Sequence, residues 1–322
     1  MRIVVAVGGN AIIAEHERGE WTEQQANAAA IATALAALTR DGHELVLTHG
    51  NGPQVGALHR QQTTARGQAP ALPLDALVAM TQGQLGYLLQ SAIEEVDPQV
   101  RTATLLTRVR VRADDPAFAE PTKPIGRFFA DERAARRAAG GSLRVAMDAG
   151  RGWRAVVPSP APEEVVELDQ LRALVERGVV VIAAGGGGIP VVRRHGRLEG
   201  VEAVIDKDRA SAVLALAVGA ELLVMLTGVE HVALDFGTRW QRDMAKLTVG
   251  DAERLLAAGE FPPGSMGPKV ESAIRFVRGG GHAAIVTHAR RLADAVAGRG
   301  GTRFVPDEQG PSATARPDTL AA

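Results

Sequence analysis

Short apolar runs alternate with longer stretches rich in alanine and leucine along this chain of 322 residues. The runs Arg2–Val7, Glu44–Thr48, Thr102–Thr107, Val179–Ala184, Leu222–Thr227 and Ala283–Thr287 read as strands. Several are apolar at consecutive positions rather than at every second one, the pattern of strands buried on both faces of a parallel sheet. The stretches between them carry helical patterning. The clearest runs from Thr22 to about Arg40, with Thr22 and Gln25 at capping-box spacing and Asp41-Gly42 as the stop. Further helices are predicted over Asp75–Glu95, Leu168–Arg177, Lys207–Val218, Val249–Ala258 and Lys269–Arg278. This alternation predicts an α/β fold with a mostly parallel central sheet and helices on both sides.

The segment from Phe118 to Pro158 breaks the rhythm. It holds Pro121 and Pro124, a basic helical patch at Arg133, Arg136 and Arg137, and the aromatic pair Phe128-Phe129. It reads as an insertion protruding from the main body. Beyond Val305 the apolar periodicity stops, and residues 307–322, with Gly310-Pro311-Ser312 and Pro317, are expected to be a disordered tail.

Composition narrows the possible functions. A net charge of −1 gives no general attraction to nucleic acid or to an anionic membrane, and 3% aromatics leave little for stacking on bases. With no cysteine there is no disulfide, thiolate nucleophile or cysteine-ligated zinc. The apolar run at the N-terminus is too short for a signal-peptide core and no stretch approaches a membrane span, so a cytoplasmic location is expected.

The candidate chemistry sits in glycine loops that follow strands. Gly8-Gly9-Asn10 follows the first, and His49-Gly50-Asn51-Gly52-Pro53 follows the second. Ligands of open parallel sheets bind beside such loops, where glycine lets the backbone approach and N–H groups at helix starts favour anions. A third loop, Gly185-Gly186-Gly187-Gly188-Ile189-Pro190, follows the most apolar strand. Four consecutive glycines imply either unusual dihedrals or a ligand lying against the backbone. The Walker A pattern and a true G-x-G-x-x-G are both absent, and the scattered histidines suggest no metal cluster.

Lysine usage points the same way. The chain has Lys123, Lys207, Lys246 and Lys269 against thirty-two arginines. Three of these lysines stand in Thr122-Lys123-Pro124-Ile125-Gly126, Ile205-Asp206-Lys207-Asp208 and Ser265-Met266-Gly267-Pro268-Lys269. A compact ammonium presented from a tight loop suits phosphate oxygens. Lys207-Asp208, at a loop-to-helix junction, can neutralise phosphoryl oxygens while the carboxylate orients the lysine or a hydrated Mg²⁺.

Taken together these stretches resemble the carbamate kinases of the amino acid kinase superfamily. The resemblance runs from Met1 to about Val305 and rests also on Pro53-Gln54-Val55-Gly56, Gly150-Arg151-Gly152-Trp153-Arg154, Gly200 to Asp208 and Pro263 to Lys269. It implies an open αβα sandwich, usually a homodimer. In that arrangement the lobe 1–219 holds carbamate or carbamoyl phosphate, 118–158 is a lid-like insertion, and the lobe 220–306 holds ATP or ADP. The implied reaction is ATP plus carbamate giving ADP plus carbamoyl phosphate, reversibly, with Mg²⁺.

The resemblance implies catalytic roles for Lys123, Lys207, Asp208 and Lys269, with Asp208 meeting the metal through water. It implies substrate contacts from Gly8, Gly9, Asn10, Gly50, Asn51, Arg154, Gly186 and Gly187. Nucleotide contacts are implied for Lys207, Thr227, Met266, Gly267 and Lys269. Many superfamily relatives carry a lysine in or just after the first strand; Arg2–Val7 has none, and Lys123 is expected to replace it. Gly228, Ala233 and Arg127 depart from the usual family pattern. Competing readings are an acetylglutamate-type kinase, a non-catalytic sensor of nucleotide or carbamoyl phosphate, and, on coarse pattern alone, an NAD-dependent oxidoreductase.

Overall fold

The computed structural model describes residues 1–14, 17–141, 143–148, 151–262 and 264–307, without the side chain of Asn10. The expected tail, from residue 308 onward, lies outside the described residues, as do Gly150 and Pro263.

The core is a sheet of β1 (Arg2–Val7), β2 (Glu44–His49), β3 (Thr102–Thr104), β4 (Val180–Ile182), β5 (Leu222–Thr227), β6 (Lys246–Thr248), β7 (Ala283–His288) and β8 (Thr302–Val305). Their order is β6-β8-β7-β5-β1-β2-β4-β3. All neighbouring pairs are parallel except β7 with β8. The consecutive apolar positions of the sequence are explained by helices on both faces. Val4, Ala6, Val46 and Leu223 pack into one core cluster, while Ile3, Val5, Leu45 and Val224 pack into another on the opposite side. Burying both faces of so many branched side chains is the main source of stability, at about 25 cal/mol per Å² of apolar surface removed from water. The boundary expected at 219/220 falls just before β5, which pairs directly with β1, so the two lobes share one continuous sheet.

The helices that position the site are α1 (Trp21–Arg40), α2 (Gly52–Thr64), α3 (Leu74–Val96), α4 (Lys207–Ala217) and α5 (Met266–Arg278). Helix α1 stops at Asp41-Gly42 as expected, but its capping box is Glu20 with Glu23, two residues earlier than the Thr22–Gln25 reading. Glu23 reaches the Glu20 backbone N–H at 2.8 Å and fulfils the box just as well. The expected strand Thr102–Thr107 ends at Thr104, where the chain leaves the sheet, and an unexpected strand, Arg108–Val111, follows in a separate sheet beside Ile189–Arg194. Helix α5 begins three residues before Lys269, with Pro268 inside its first turn, where the missing N–H costs nothing.

The insertion is a small unit of its own. Strands Lys123–Phe129, Arg144–Met147 and Trp153–Val157 form an antiparallel sheet with the last in the middle, backed by the basic helix Glu132–Ala138. Lys123, expected in a stiff loop, instead opens a strand and is paired with Val157. The base of the insertion is not free of the body: Ile125 and Val157 pack with Val55, Leu77, Val78 and Val204 in a buried cluster.

Candidate active site

Strand β1 lies where the strand order changes direction, with β2 on one side and β5 on the other. A cleft of about 1310 Å³ opens at the carboxyl ends of these strands, the place where such sheets bind ligands. Gly8, Gly9, Gly50, Lys123, Arg154, Lys207, Asp208, Thr227 and Lys269 all line it. The loops after β1 and β2 are pressed together there. A Cβ on Gly50 would lie 3.1 Å from the Gly9 nitrogen and 3.4 Å from Lys207 Cδ. Glycine at Gly50 is thus what lets both loops and the lysine stem share one floor.

Three ammonium groups and two carboxylates meet at the start of α4. Lys207 Nζ donates to Asp208 Oδ1 at 2.5 Å, and Lys269 Nζ, from the first turn of α5, donates to Asp208 Oδ2 at 3.1 Å. Lys123 Nζ, from the insertion, donates to Asp206 Oδ2. The side chains of Asp208 and Lys207 are 5% and 10% exposed, so these charges interact with little solvent screening. Burial alone disfavours ionisation of Asp208, yet Lys207 and Lys269 together hold its carboxyl below the usual carboxylate range. Burial likewise opposes ionisation of Asp206, and Lys123 and Lys207 overcome it. Burial pulls the Lys207 ammonium below the usual lysine range, with Asp208 opposing that shift. Three ammonium groups thus face two carboxylates, an arrangement suited to receiving an anion.

A second ion pair stands across the cleft. Arg154 Nη1 donates to Asp148 Oδ2 at 2.9 Å, and its guanidinium lies 4.8 Å from the centre of the Phe128 ring. Arg154 Nε is buried and finds no hydrogen-bond partner among the described residues. At the end of β2, His49 is fully enclosed, and burial pushes it down to about 4 while its ring Nδ1 lies 3.1 Å from the Gly50 carbonyl. It is neutral at physiological pH and belongs to the frame of the site.

Of the two readings its composition allows, the glycine run after β4 follows the first, unusual dihedrals. Ala184, Gly186, Gly187 and Gly188 all have positive φ. A Cβ on Gly186 would fall 2.2 Å from Asn51 Nδ2, and one on Gly187 would fall 2.4 Å from the Ile205 carbonyl oxygen. Packing therefore does account for these glycines, since they let the turn pass beneath Asn51 and the strand-end leading into α4. Gly186 and Gly187 are buried below the floor rather than lining the cleft. Asn51 is also buried, its amide donating to Thr81 Oγ1 at 2.9 Å. Met266 and Gly267 form the first turn of α5, whereas Gly264, Ser265, Pro268 and Lys269 face the cleft.

Sequence reasoning gave no role to Asp206 or to Asp148. Asp206 announces itself only as an Asp directly before a helix, and its partner lies 83 residues away. Asp148 and its partner Arg154 stand on opposite sides of a turn whose strands were not foreseen.

A sheet with its cleft at the switch point, glycine loops for anions and converging lysines defines a phosphotransferase of small anionic substrates. The comparisons agree. The chain belongs to the amino acid kinase family, which matches residues 1–288. It is similar to the carbamate kinase of Pyrococcus furiosus, with 42% identity over 95% of this chain and 99% of that one. Among solved structures it is similar to carbamate kinase from Giardia lamblia bound to citric acid, with a TM-score of 0.90, 38% identity, and 95% and 98% of the two chains covered. It is also similar to the Giardia enzyme bound to AMP-PNP, with a TM-score of 0.86, 38% identity and the same coverage.

Proposed function

We propose that this chain is a carbamate kinase, transferring a phosphoryl group reversibly between ATP and carbamate. The observation that carries this reading is the convergence of Lys123, Lys207 and Lys269 on one acid-bridged cluster at the carboxyl end of β1. Phosphoryl transfer asks little covalent chemistry of the protein. It needs in-line placement of the two oxygens and stabilisation of charge on the three equatorial ones.

In this reading the carbamate oxygen attacks the terminal phosphorus of ATP, and ADP leaves on the opposite side. Lys207, Lys269 and Lys123 neutralise the transferring group, while Asp208 keeps the first two apart and aimed. Backbone N–H groups of the loops at Gly8, Gly9, Asn10 and Gly50 hold the small substrate, with Arg154 supplying a further cation. Asn51, Gly186 and Gly187 support those loops from below. The nucleotide lies along the Thr227 side, with the turn of Met266 and Gly267 placing Lys269. Both Asp208 oxygens already accept from ammonium groups, and among the described residues no group of three or more acidic or histidine side chains gathers as a metal cage. This fits a hydrated Mg²⁺ that arrives on the nucleotide phosphates and meets Asp208 through water. When bound, that ion neutralises phosphate charge.

The protein acts in the cytoplasm as a homodimer in this account. Among the described residues no helix is long and apolar enough to cross a membrane. Trp21 and Tyr87, stacked 6.3 Å apart on the outer faces of α1 and α3 with Met80 exposed nearby, supply an apolar face for a second copy. The activity is tested by offering carbamate, N-acetylglutamate and aspartate with ATP. Phosphorylation of carbamate alone is expected, and comparable turnover of either amino acid would favour the acetylglutamate-type reading.

A further inference from the structure

The two aspartates that flank Lys207 divide the site lysines between them. Asp208 accepts from Lys207 and Lys269. Asp206 accepts from Lys123, which comes from the insertion. The two oxygens of Asp206 do different things. Oδ1 accepts from the backbone N–H groups of Asp208, at 2.9 Å, and Arg209, at 3.2 Å, and so caps α4. Oδ2 takes the ammonium of Lys123. One carboxylate thus joins the insertion to the first turn of the helix that presents Lys207 and Asp208.

We propose that Asp206 is a positioning residue for phosphoryl transfer, holding the Lys123 ammonium at the start of α4 with its remaining N–H donors turned to the phosphoryl group. The inference rests on the carbamate kinase reading and adds a residue to it. A lysine ammonium has three donors, so commitment of one to Asp206 leaves the other two for phosphoryl oxygens. Its four-carbon stem is flexible, and fixing the head group in advance removes an entropic cost from the transfer step. The carboxylate is itself fixed, because the cap bonds lock its plane. The Asp206 side chain is 11% exposed against 27% for Lys123, so the more buried partner is the anchor and the lysine from the insertion is the part it holds.

The split of duties between the two oxygens makes the proposal testable without unfolding the helix. In Asp206→Asn the backbone donors at the cap keep the amide oxygen, which turns the amide NH₂ toward Lys123 and breaks the tie. In Asp206→Ser the hydroxyl still caps α4 but is too short to reach the lysine. For both variants, kcat for ATP formation from ADP and carbamoyl phosphate is expected to fall about 10–10²-fold with KM for ADP within about threefold, since one aligned charge contact is lost. In a double-mutant cycle, adding Asp206→Ser to Lys123→Ala is expected to change kcat by less than about threefold, because the tie is already gone. A purely structural role predicts additive losses instead.

Hydrogen exchange of 123–129 is compared between wild type and Asp206→Ser, and faster exchange in the variant is expected. Wild-type-like kcat in both variants, additivity in the cycle, or unchanged exchange of 123–129 would overturn the proposal. Failure of the wild type itself to make ATP from carbamoyl phosphate refutes the carbamate kinase reading instead, and the exchange comparison then decides the tie on its own.

Discussion

Gly56 of α2 and Gly126 of the insertion meet backbone to backbone: a Cβ on Gly56 would lie 2.1 Å from the Gly126 nitrogen and 2.2 Å from its Cα. Neither atom belongs to a flexible side chain that can step aside. The contact sits beside Ile125, whose side chain anchors the insertion in the Val55–Val78–Val204 cluster. Gly56→Ala therefore displaces the strand that begins at Lys123. The expected outcome is a fall in kcat of at least tenfold, together with destabilisation of about 1–3 kcal/mol, the usual range for overpacking. Urea unfolding and steady-state kinetics on one preparation check it, and a variant with wild-type kcat would show that the insertion can shift without consequence.

Lys123→Arg keeps the positive charge but replaces a point donor with a planar fork. At the Asp206 carboxylate the longer guanidinium forms its own bidentate pair and leaves fewer donors for the phosphoryl group. We expect kcat to fall by roughly 10–10²-fold with little change in Tm, as for loss of one preorganised contact. Wild-type activity in this variant would make Lys123 an ordinary surface lysine.

Acid stability reports on His49. Folding holds it neutral, with its protonation pushed down to about 4 by burial, whereas the unfolded side chain titrates near the ordinary histidine value of 6.5. Between those values the unfolded chain binds more protons, so stability rises with pH across the window and is lost as pH falls from about 6.5 toward 4. The full loss is about 3 kcal/mol at roughly 1.4 kcal/mol per pH unit. The depressed carboxyls of Asp206 and Asp208 act in the same direction but only at lower pH, once the unfolded carboxylates begin to protonate. Urea midpoints at pH 7.5 and 5.5 should therefore differ more in the wild type than in His49→Gln. Equal differences would mean that His49 is protonated in the folded protein.

The insertion carries eight basic residues against four acidic ones between 118 and 158, on a chain whose net charge is −1. An excess of basic residues beside a cleft that takes phosphorylated anions speeds encounter, and added salt screens that attraction. We expect kcat/KM for carbamoyl phosphate to fall severalfold between 0.02 and 0.2 M salt, taken here as roughly two- to tenfold. A salt-independent kcat/KM would remove steering from the account.

Much of this architecture was legible because it depends on local pattern. Fully apolar runs such as Val4 to Val7 and Leu222 to Leu226 have to be buried on both sides, which dictates a parallel sheet. The loops at Gly8 and Gly50 and the lysines 123, 207 and 269 stood out because each breaks the composition around it. What escaped depends on contacts between distant segments. The glycines after β4 left unusual dihedrals and a ligand contact both open, because nothing in the sequence places Asn51 and Ile205 against them. Lys123 read as a loop residue because its strand partner, Val157, lies thirty-four positions on. For the same reason the sequence does not reveal that excision of the protruding insertion would strip Ile125 and Val157 from a buried cluster. Asp206 was hidden by its ordinary appearance as a helix cap.

The central claim is that three lysines converge on a phosphoryl group passing between carbamate and nucleotide. The most direct measurement is ATP formation from ADP and carbamoyl phosphate with Mg²⁺ present, for the wild type and for Lys207→Ala and Lys269→Ala. The account predicts turnover by the wild type and a fall in kcat of roughly 10²–10³-fold in each variant, the usual effect of removing one preorganised charge contact. Stability is expected to stay close to wild type, because Asp208 keeps one lysine in either case. No ATP from the wild type, or variants within about threefold of it, would contradict the account.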